Sequence, residues 1–277
     1  MTSYVERLAR TTAARGALCL GVDPHPGVLA AWGLENSASG MERFGRQLVE
    51  ALGEQVAVIK PQSAFFESFG SAGIAALERL LADVRDAGAV SILDVKRGDI
   101  GSTMTAYAQA YLADGAPLAS DAITVSPYLG FGSLEPAFEL AHRHGRGVYV
   151  LARTSNPEGG QVQLARSGDR SVAQVIVDQA AAANTASGQS AIGLVIGATH
   201  THLGCELGGF NGSILVPGIG AQGGRMADLP TLFGSQFGHV LPMVGRELIG
   251  AGPDPQALRD KAAQLLAELR EATARNT

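Results

Sequence analysis

Ser91-Ile92-Leu93-Asp94-Val95-Lys96-Arg97-Gly98-Asp99-Ile100-Gly101-Ser102-Thr103 begins as an apolar, β-prone run and ends in a glycine-bearing loop. Alternate side chains of a strand share a face. Ile92, Asp94 and Lys96 therefore point one way, and Leu93 and Val95 the other. A carboxylate and an ammonium, about 7 Å apart along the strand, stand where a buried strand would carry apolar groups. Asp99 follows as the chain turns out of the strand. A surface ion pair at a strand end is the ordinary reading of Asp-x-Lys. On the face of a hydrophobic strand, however, charges must be paired or functional, because burying each one costs several kcal/mol.

Similar runs recur along the chain. Ala17 to Asp23, Val56 to Pro61 and Val90 to Lys96 come first, then Ala122 to Pro127 and Val148 to Arg153. Ile192 to Gly197, Ser213 to Gly218 and Val240 to Arg246 complete the set. Each is stopped by a polar residue, Gly or Pro, and helical patterns lie between them, as at 40–52, 74–87 and 171–186. Continuous apolar strands alternating with helices indicate a parallel sheet covered by helices. Eight such units are the count of an α/β protein built as a (β/α)8 TIM barrel, with a doubly wound sheet as the alternative. No linker or composition shift divides the chain. The expectation is a single domain over 1–277, with a leading helix within 1–16 and a closing helix within 254–277.

Composition narrows the function. The 277 residues are 46% hydrophobic and 17% charged, enough for one large core. Glycine supplies 36 of them, a share well above the usual one of about 7%; with so much apolar sequence, this means many tight connections rather than disorder. A net charge of -5 gives no basic surplus for nucleic acid. Cys19 and Cys205 have no metal-ligand spacing and suit a reducing compartment. The first sixteen residues lack the apolar core of a signal peptide, and no apolar run approaches the ~18 residues of a membrane span. A cytoplasmic protein is expected. The six histidines show no metal pattern. His142 and His144, like His200 and His202, are spaced two apart, which does not place both on one helix face.

Polar residues gather at one end of the strands. Asp23, Lys60, Asp94, Lys96, Ser126, Arg153 and Arg246 all fall at C-terminal strand ends or just beyond, where a barrel builds its active site. By parity Asp23 shares a face with Cys19 and Gly21, and Lys60 with Val56 and Val58. Strand ends are often polar, but that does not explain so many charges. Gly218-Ile219-Gly220-Ala221-Gln222-Gly223-Gly224 matches G-x-G-x-x-G in form. A dinucleotide fold needs several strands after that motif, and only one remains. A glycine-rich loop after strand seven still offers backbone N–H groups to an anion. Gly245-Arg246 after strand eight adds a guanidinium suited to bidentate phosphate contact. Loops after strands seven and eight form the usual phosphate site of such barrels.

Asp94-x-Lys96-x-x-Asp99, with Asp23 and Lys60 before it and Gln222 and Gly245-Arg246 after it, resembles orotidine 5′-phosphate decarboxylase, in the longer bacterial branch of that family. The likeness runs from Asp23 to Arg246. Other phosphate-binding barrel decarboxylases and aldolases share Asp-x-Lys-x-x-Asp; Asp-Val-Lys-Arg-Gly-Asp-Ile-Gly-Ser-Thr with the remaining matches in order is more specific. The resemblance implies conversion of orotidine 5′-monophosphate (OMP) to uridine 5′-monophosphate (UMP) and CO2 in pyrimidine biosynthesis, with no metal and no organic cofactor. It implies an alternating array of Lys60, Asp94, Lys96 and Asp99 beneath the pyrimidine, with Lys96 as proton donor to C6. Asp23 and Lys60 would bind ribose hydroxyls, and Thr103 would also reach the ribose. Ser155 would meet the pyrimidine amide edge, Gln222 would bridge pyrimidine and phosphate, and Arg246 would hold the phosphate. A homodimer is implied, with Asp99 and Thr103 crossing to the partner's site. The chain differs from the shorter branch around Thr154 to Gly160 and in its tight Gly-Ala-Gln-Gly-Gly loop. Two other functions remain as alternatives: a magnesium-dependent sugar-phosphate decarboxylase or aldolase on the same barrel, and a non-catalytic barrel that binds a phosphorylated ligand.

Overall fold

The structure, a computed structural model, describes residues 2–275. Eight strands form its centre: β1 (Cys19–Val22), β2 (Val58–Pro61), β3 (Val90–Arg97), β4 (Ala122–Val125), β5 (Gly147–Arg153), β6 (Ile192–Ile196), β7 (Ile214–Val216) and β8 (Val240–Val244). Each pairs in parallel with its neighbours in sequence, and β8 returns to β1 with Met243 opposite Cys19. The ring closes, so the sheet is a (β/α)8 barrel and not a doubly wound sheet. Met1, Asn276 and Thr277, the outermost residues of the expected terminal segments, lie outside the described residues.

Strand parity divides the core into two layers. Cys19, Val58, Ile92, Ala122, Tyr149, Val195, Leu215 and Leu241, one from each strand, fill the interior. Leu20, Ile59, Leu93, Val95, Ile123 and Val150 face outward against the helices. Helix Ala38–Leu52 shows how a helix covers that outer face. Ser37 caps it by accepting the Gly40 N–H, and Met41, Phe44, Leu48, Val49 and Leu52 form its buried stripe. The expected pairing of Val56 with Lys60 fails. The β-pleat begins only at Val58, so Val56 lies in the outer layer while Ala57 and Val58 both reach the inner one.

The leading helix, Tyr4–Arg15, seals the N-terminal end of the barrel. Ser3 and Glu6 form a capping box at its start. Arg7 pairs with Asp121 at 2.8 Å, and Asp121 also accepts the Ser91 N–H at 2.9 Å, which ties the helix to the foot of β3. Tyr4 enters the barrel, where its hydroxyl lies 2.7 Å from that of Tyr149. The Tyr149 hydroxyl is in turn 2.7 Å from Ser213 Oγ. These buried phenols are therefore hydrogen-bonded in series, as buried polar groups require. Glycines make room for the rings: Gly147 lies under Tyr4 and Gly193 under Tyr149. Among the described residues no helix is long and apolar enough to cross a membrane.

One strand pair was not foreseen. Arg166–Ser167 and Arg170–Ser171 form a small antiparallel hairpin between β5 and helix Val172–Ser187, turning at Gly168 with φ 67°. Ser171, expected as the first helical residue, is instead the N-cap and accepts from Gln174 N.

The tyrosine plug yields a test of the packing. A methyl group at Gly193 would lie 2.5 Å from Tyr149 Cε1 and 2.8 Å from the Ser213 carbonyl oxygen. Gly193→Ala is expected to cost about 1–3 kcal/mol through overpacking. The fall in thermal midpoint, by calorimetry, measures it; an unchanged midpoint would show that the ring has room to move.

Candidate active site

The charged residues meet at the C-terminal mouth of the barrel, and their centre is Asp94. Its carboxylate accepts four hydrogen bonds. Oδ2 takes Lys60 Nζ at 2.8 Å and Gln62 Nε2 at 2.9 Å. Oδ1 takes Lys96 Nζ at 2.6 Å and the Thr124 hydroxyl at 2.7 Å. The two lysines differ in setting: the Lys60 side chain is 2% exposed and that of Lys96 46%. Burial alone would push the Asp94 carboxyl up, but the Lys60 and Lys96 charges outweigh it and hold the group well below the ordinary carboxylate range. Burial likewise opposes the charge on Lys60, and Asp94 and Asp23 overcome it, leaving that ammonium more basic than usual. Both remain ionised throughout the physiological range. Beneath them Cys19 is pushed up to about 12, chiefly by burial, so the floor of the array is a neutral thiol.

Above this cluster opens a cavity of about 690 Å³. Its polar wall holds Asp23, Lys60, Asp94, Lys96, Ser126, Ser155 and Gln222, together with Gln62 and Thr124. Its other wall is apolar and includes Leu151, Val195, Leu215, Pro217 and Met243. Asp23 Oδ1 is buried with no hydrogen-bond partner among the described residues. A buried acceptor of this kind is costly unless something donates to it, which suits a ligand hydroxyl. A cavity with one apolar wall and a few convergent polar groups is the usual form of a small-molecule site.

The glycine-rich loop after β7 is folded tightly on itself. Gly220 N–H donates to Gly224 O at 2.8 Å, and Gly224 N–H to Gly218 O at 3.0 Å. Gly218, Gly220 and Gly223 all have positive φ, a region that side chains disfavour. A side chain at Gly220 would collide with Glu247, so this loop packs against the turn that carries Arg246. On the other flank of that turn, a carbon added at Gly245 would lie 3.4 Å from Asp23 Oδ2. Gly245 and Arg246 thus stand beside both Asp23 and the loop, with Arg246 exposed at the rim and outside the cavity wall.

Ser155 lies in one of the two segments expected to differ from the shorter branch. Gln163 accepts from Thr154 N–H at 3.0 Å and donates to the Thr154 hydroxyl at 2.7 Å. Thr199 donates to the Ser155 carbonyl at 2.8 Å. Arg153 is buried and is not in the cavity wall; it donates at 3.2 Å to Gln163, which is. His200, read from the sequence as a loop residue, bonds the Thr154 carbonyl at 2.8 Å. Burial holds its imidazole below the usual range.

Asp99 and Thr103 are not brought to this cavity. Asp99 accepts its neighbour's N–H, that of Ile100, at 2.8 Å, and Thr103 is exposed on helix Gly101–Leu112. Two residues around Asp94 escaped the sequence reading, Gln62 and Thr124. Parity could have found both. Gln62 is two places beyond Lys60, and Thr124 is two beyond Ala122, on the inner face. Among the described residues no group of three His, Cys, Asp or Glu side chains could hold a metal ion.

Fold and site together define a (β/α)8 barrel whose mouth holds a Lys–Asp–Lys charge array beside a tight glycine-rich loop. A family model described as orotidine 5′-phosphate decarboxylase / HUMPS family matches residues 16–261, and the chain belongs to that family. It is 54% identical to the orotidine 5′-phosphate decarboxylase of Salinispora tropica, over 98% of this chain and 99% of that one. With the protein of the same name from Streptomyces coelicolor it shares 52% identity over the same proportions. The crystal structure of a putative orotidine 5′-phosphate decarboxylase from Streptomyces avermitilis superposes with a TM-score of 0.95 at 52% identity, covering 99% of this chain and 97% of that one. The family resemblance and the barrel read from the sequence are both borne out.

Asp94 sets the acid stability of this end of the barrel. Replacing it by Asn strands the buried Lys60 ammonium, and at neutral pH Asp94→Asn is expected to destabilise the fold by about 3–5 kcal/mol. A carboxyl held low in the folded state contributes fully above its unfolded value, about 3.9, and loses that contribution as pH falls through its folded value. The gap between wild type and variant should therefore be flat from about pH 5 upward and narrow below about pH 4. Thermal midpoints measured across that range test this; a gap independent of pH down to the acid limit would mean that Lys60 does not depend on the Asp94 charge.

Proposed function

We propose that this chain decarboxylates OMP to UMP and CO2. The observation that carries the reading is the Asp94 carboxylate held between a buried and an exposed ammonium at the floor of a ligand-sized cavity. Loss of CO2 from C6 of the pyrimidine leaves an electron pair on a carbon that no ring carbonyl fully delocalises. Lys96 Nζ, fixed beside that carbon, stabilises the developing charge and then gives C6 its proton. The C6–carboxylate bond breaks, its electron pair stays on C6, and the C–H bond forms with the lysine proton. Solvent then reprotonates Lys96. Asp94 and Lys60 hold the acid in place, so reorganisation at the moment of reaction is small.

The remaining roles are those the family resemblance implies, and the cavity and its rim support them. Asp23, with its unpartnered oxygen, and Lys60 take the ribose hydroxyls. Ser155 reads the pyrimidine amide edge. Gln222 links the pyrimidine to the phosphate, and Arg246, beside the glycine-rich loop with Gly245, binds the phosphate. Phosphate binding is remote from the chemistry and can be spent on orientation. No step calls for a cofactor. A magnesium enzyme would need the Asp94 oxygens free as ligands, and both are occupied by ammonium, amide and hydroxyl groups.

Incubation with OMP, followed by loss of the orotate absorbance, tests the activity. Turnover that survives excess EDTA is expected. Turnover abolished by the chelator would favour the metal-dependent alternative, and tight UMP binding without turnover would favour a binding protein.

A homodimer completes the site in this reading, and the cytoplasm is its compartment. Asp99 and Thr103 lie on the surface beside Ile100, while Tyr128, 78% exposed, and Leu129 stand nearby. Gly98 packs against Ser126, so these two loops are contiguous. An exposed apolar patch around unused polar residues suits a two-fold contact that sends Asp99 and Thr103 into the partner's cavity. Mixing Lys96→Ala with Asp99→Ala subunits under exchange tests this. If Asp99 acts across the interface, each mixed dimer has one intact site, and random exchange should restore about a quarter of wild-type activity. No recovery, with exchange verified by mass spectrometry, would place Asp99 in its own barrel or outside the reaction.

A further inference from the structure

The β3–β4 pairing contains an irregularity at the array. Leu93 pairs with Ile123 and Arg97 with Val125. Three residues of β3, Asp94, Val95 and Lys96, are thus opposed by one residue of β4, Thr124. Lys96 sits inside this bulge with φ 44°, the only non-glycine residue at positive φ among the described residues. Side chains rarely adopt that backbone, and such strain persists only where the surroundings fix it. The bulge breaks the ladder, so the Lys96 N–H loses its usual strand partner.

Thr124 occupies the gap. Its hydroxyl accepts the Lys96 N–H at 3.0 Å and donates to Asp94 Oδ1 at 2.7 Å. That same oxygen receives Lys96 Nζ. One hydroxyl thereby joins the strained backbone of Lys96 to the carboxylate that orients its ammonium. The C-terminal end of the bulge is held independently: Ser126 N–H donates to Arg97 O at 2.7 Å, and Arg97 pairs with Glu67 at 2.7 Å. Within the bulge, the Thr124 hydroxyl is the side-chain group bonded to the Lys96 backbone. Lys96 is also the half-exposed member of the array, so packing fixes its side chain less than it does the buried Lys60.

We propose that Thr124 is a positioning residue for Lys96: its hydroxyl fixes the left-handed backbone and the ammonium in one geometry and touches no substrate atom. The proposal rests on the decarboxylase reading for its kinetic consequence and on the bulge alone for its structural one. Because Asp94, Lys60 and the ribose and phosphate contacts stay in place without it, Thr124 governs turnover more than binding.

The test compares Thr124→Val, which keeps the shape and removes both hydrogen bonds, with Thr124→Ser, which keeps the hydroxyl. For Thr124→Val, kcat is expected to fall about ten- to a hundredfold, the scale of an ångström-level misplacement. The KM for OMP and the Kd for UMP should stay within about threefold. Thr124→Ser should recover most of the loss. Equal losses in both variants, an unchanged kcat in Thr124→Val, or parallel losses of kcat and UMP affinity would each overturn the positioning role. Should Thr124→Val not fold, Thr124→Cys, close in size and weak in hydrogen bonding, carries the same expectations. A crystal structure of whichever variant is used reads the geometry without turnover. Lys96 leaving positive φ, or its ammonium leaving Asp94 Oδ1, is expected, and an unmoved Lys96 overturns the proposal. A wild-type chain inactive on OMP would count against the decarboxylase reading and leave this structural arm to decide on Thr124.

Discussion

The buried carboxylate of Asp94 is the constraint on which the mouth of the barrel depends. Its pairing with Lys60 spans 2.8 Å, with both side chains almost wholly out of solvent. At an effective dielectric near 20, two charges at that distance attract by about 6 kcal/mol. Withdrawing each ion from water costs several kcal/mol. The balance is close, and a bare pair would add little. What tips it is the count of donors: two ammoniums, an amide and a hydroxyl saturate both oxygens. The donors come from β2, β3, β4 and the residue following β2, so the carboxylate also pins adjacent strands together at their open ends.

The two ends of the barrel meet the demand for buried hydrogen bonds in opposite ways. At the N-terminal end, Tyr4, Tyr149 and Ser213 form a neutral chain, wrapped in apolar packing and roofed by a helix. Such an arrangement tolerates no gap and carries no charge. At the C-terminal end the groups are ionic, one face of the cluster is open, and Asp23 keeps an unpartnered oxygen. The closed end holds the ring together, which lets the open end keep strain at Lys96 and charges at Lys60 and Asp94. This is the division of labour usual in such barrels.

How much of this was legible depended on how unusual each residue is in its setting. Parallel strands buried on both faces read as continuous apolar runs, so all eight could be found. Lys60, Asp94 and Lys96 stood out because a charge in such a run has few innocent explanations. Thr124 and Gln62 did not, since a hydroxyl or an amide in a strand is commonplace, and only the bulge reveals what Thr124 does. A bulge is a backbone event that hydrophobic alternation does not announce. Val56 was misplaced for a related reason: parity holds only where the chain is pleated, and there the pleat starts at Val58. The hairpin at Arg166–Ser171 is too short to show any period. Asp99 and Thr103 were legible as a motif, yet neither lines the cavity of its own barrel.

The difference in exposure between the two lysines distinguishes their uses. Both bond the same carboxylate, so charge alone gives them the same character. Lys60 is buried in the cavity wall, bonded to Asp94 and influenced by Asp23, and cannot pass a proton to water without stranding a buried anion. It acts as a fixed positive charge. Lys96 is half exposed and borders both solvent and the open cavity. In the decarboxylase reading, only there can a proton be given up and later replaced. Its exposure carries a liability, because water screens an open ammonium and leaves its stem free to move. In the decarboxylase reading a bound nucleotide removes the first problem by covering Lys96, which strengthens its field on the reacting carbon. The second must be solved within the protein, before substrate arrives, and the strained backbone held at Lys96 is where the structure solves it.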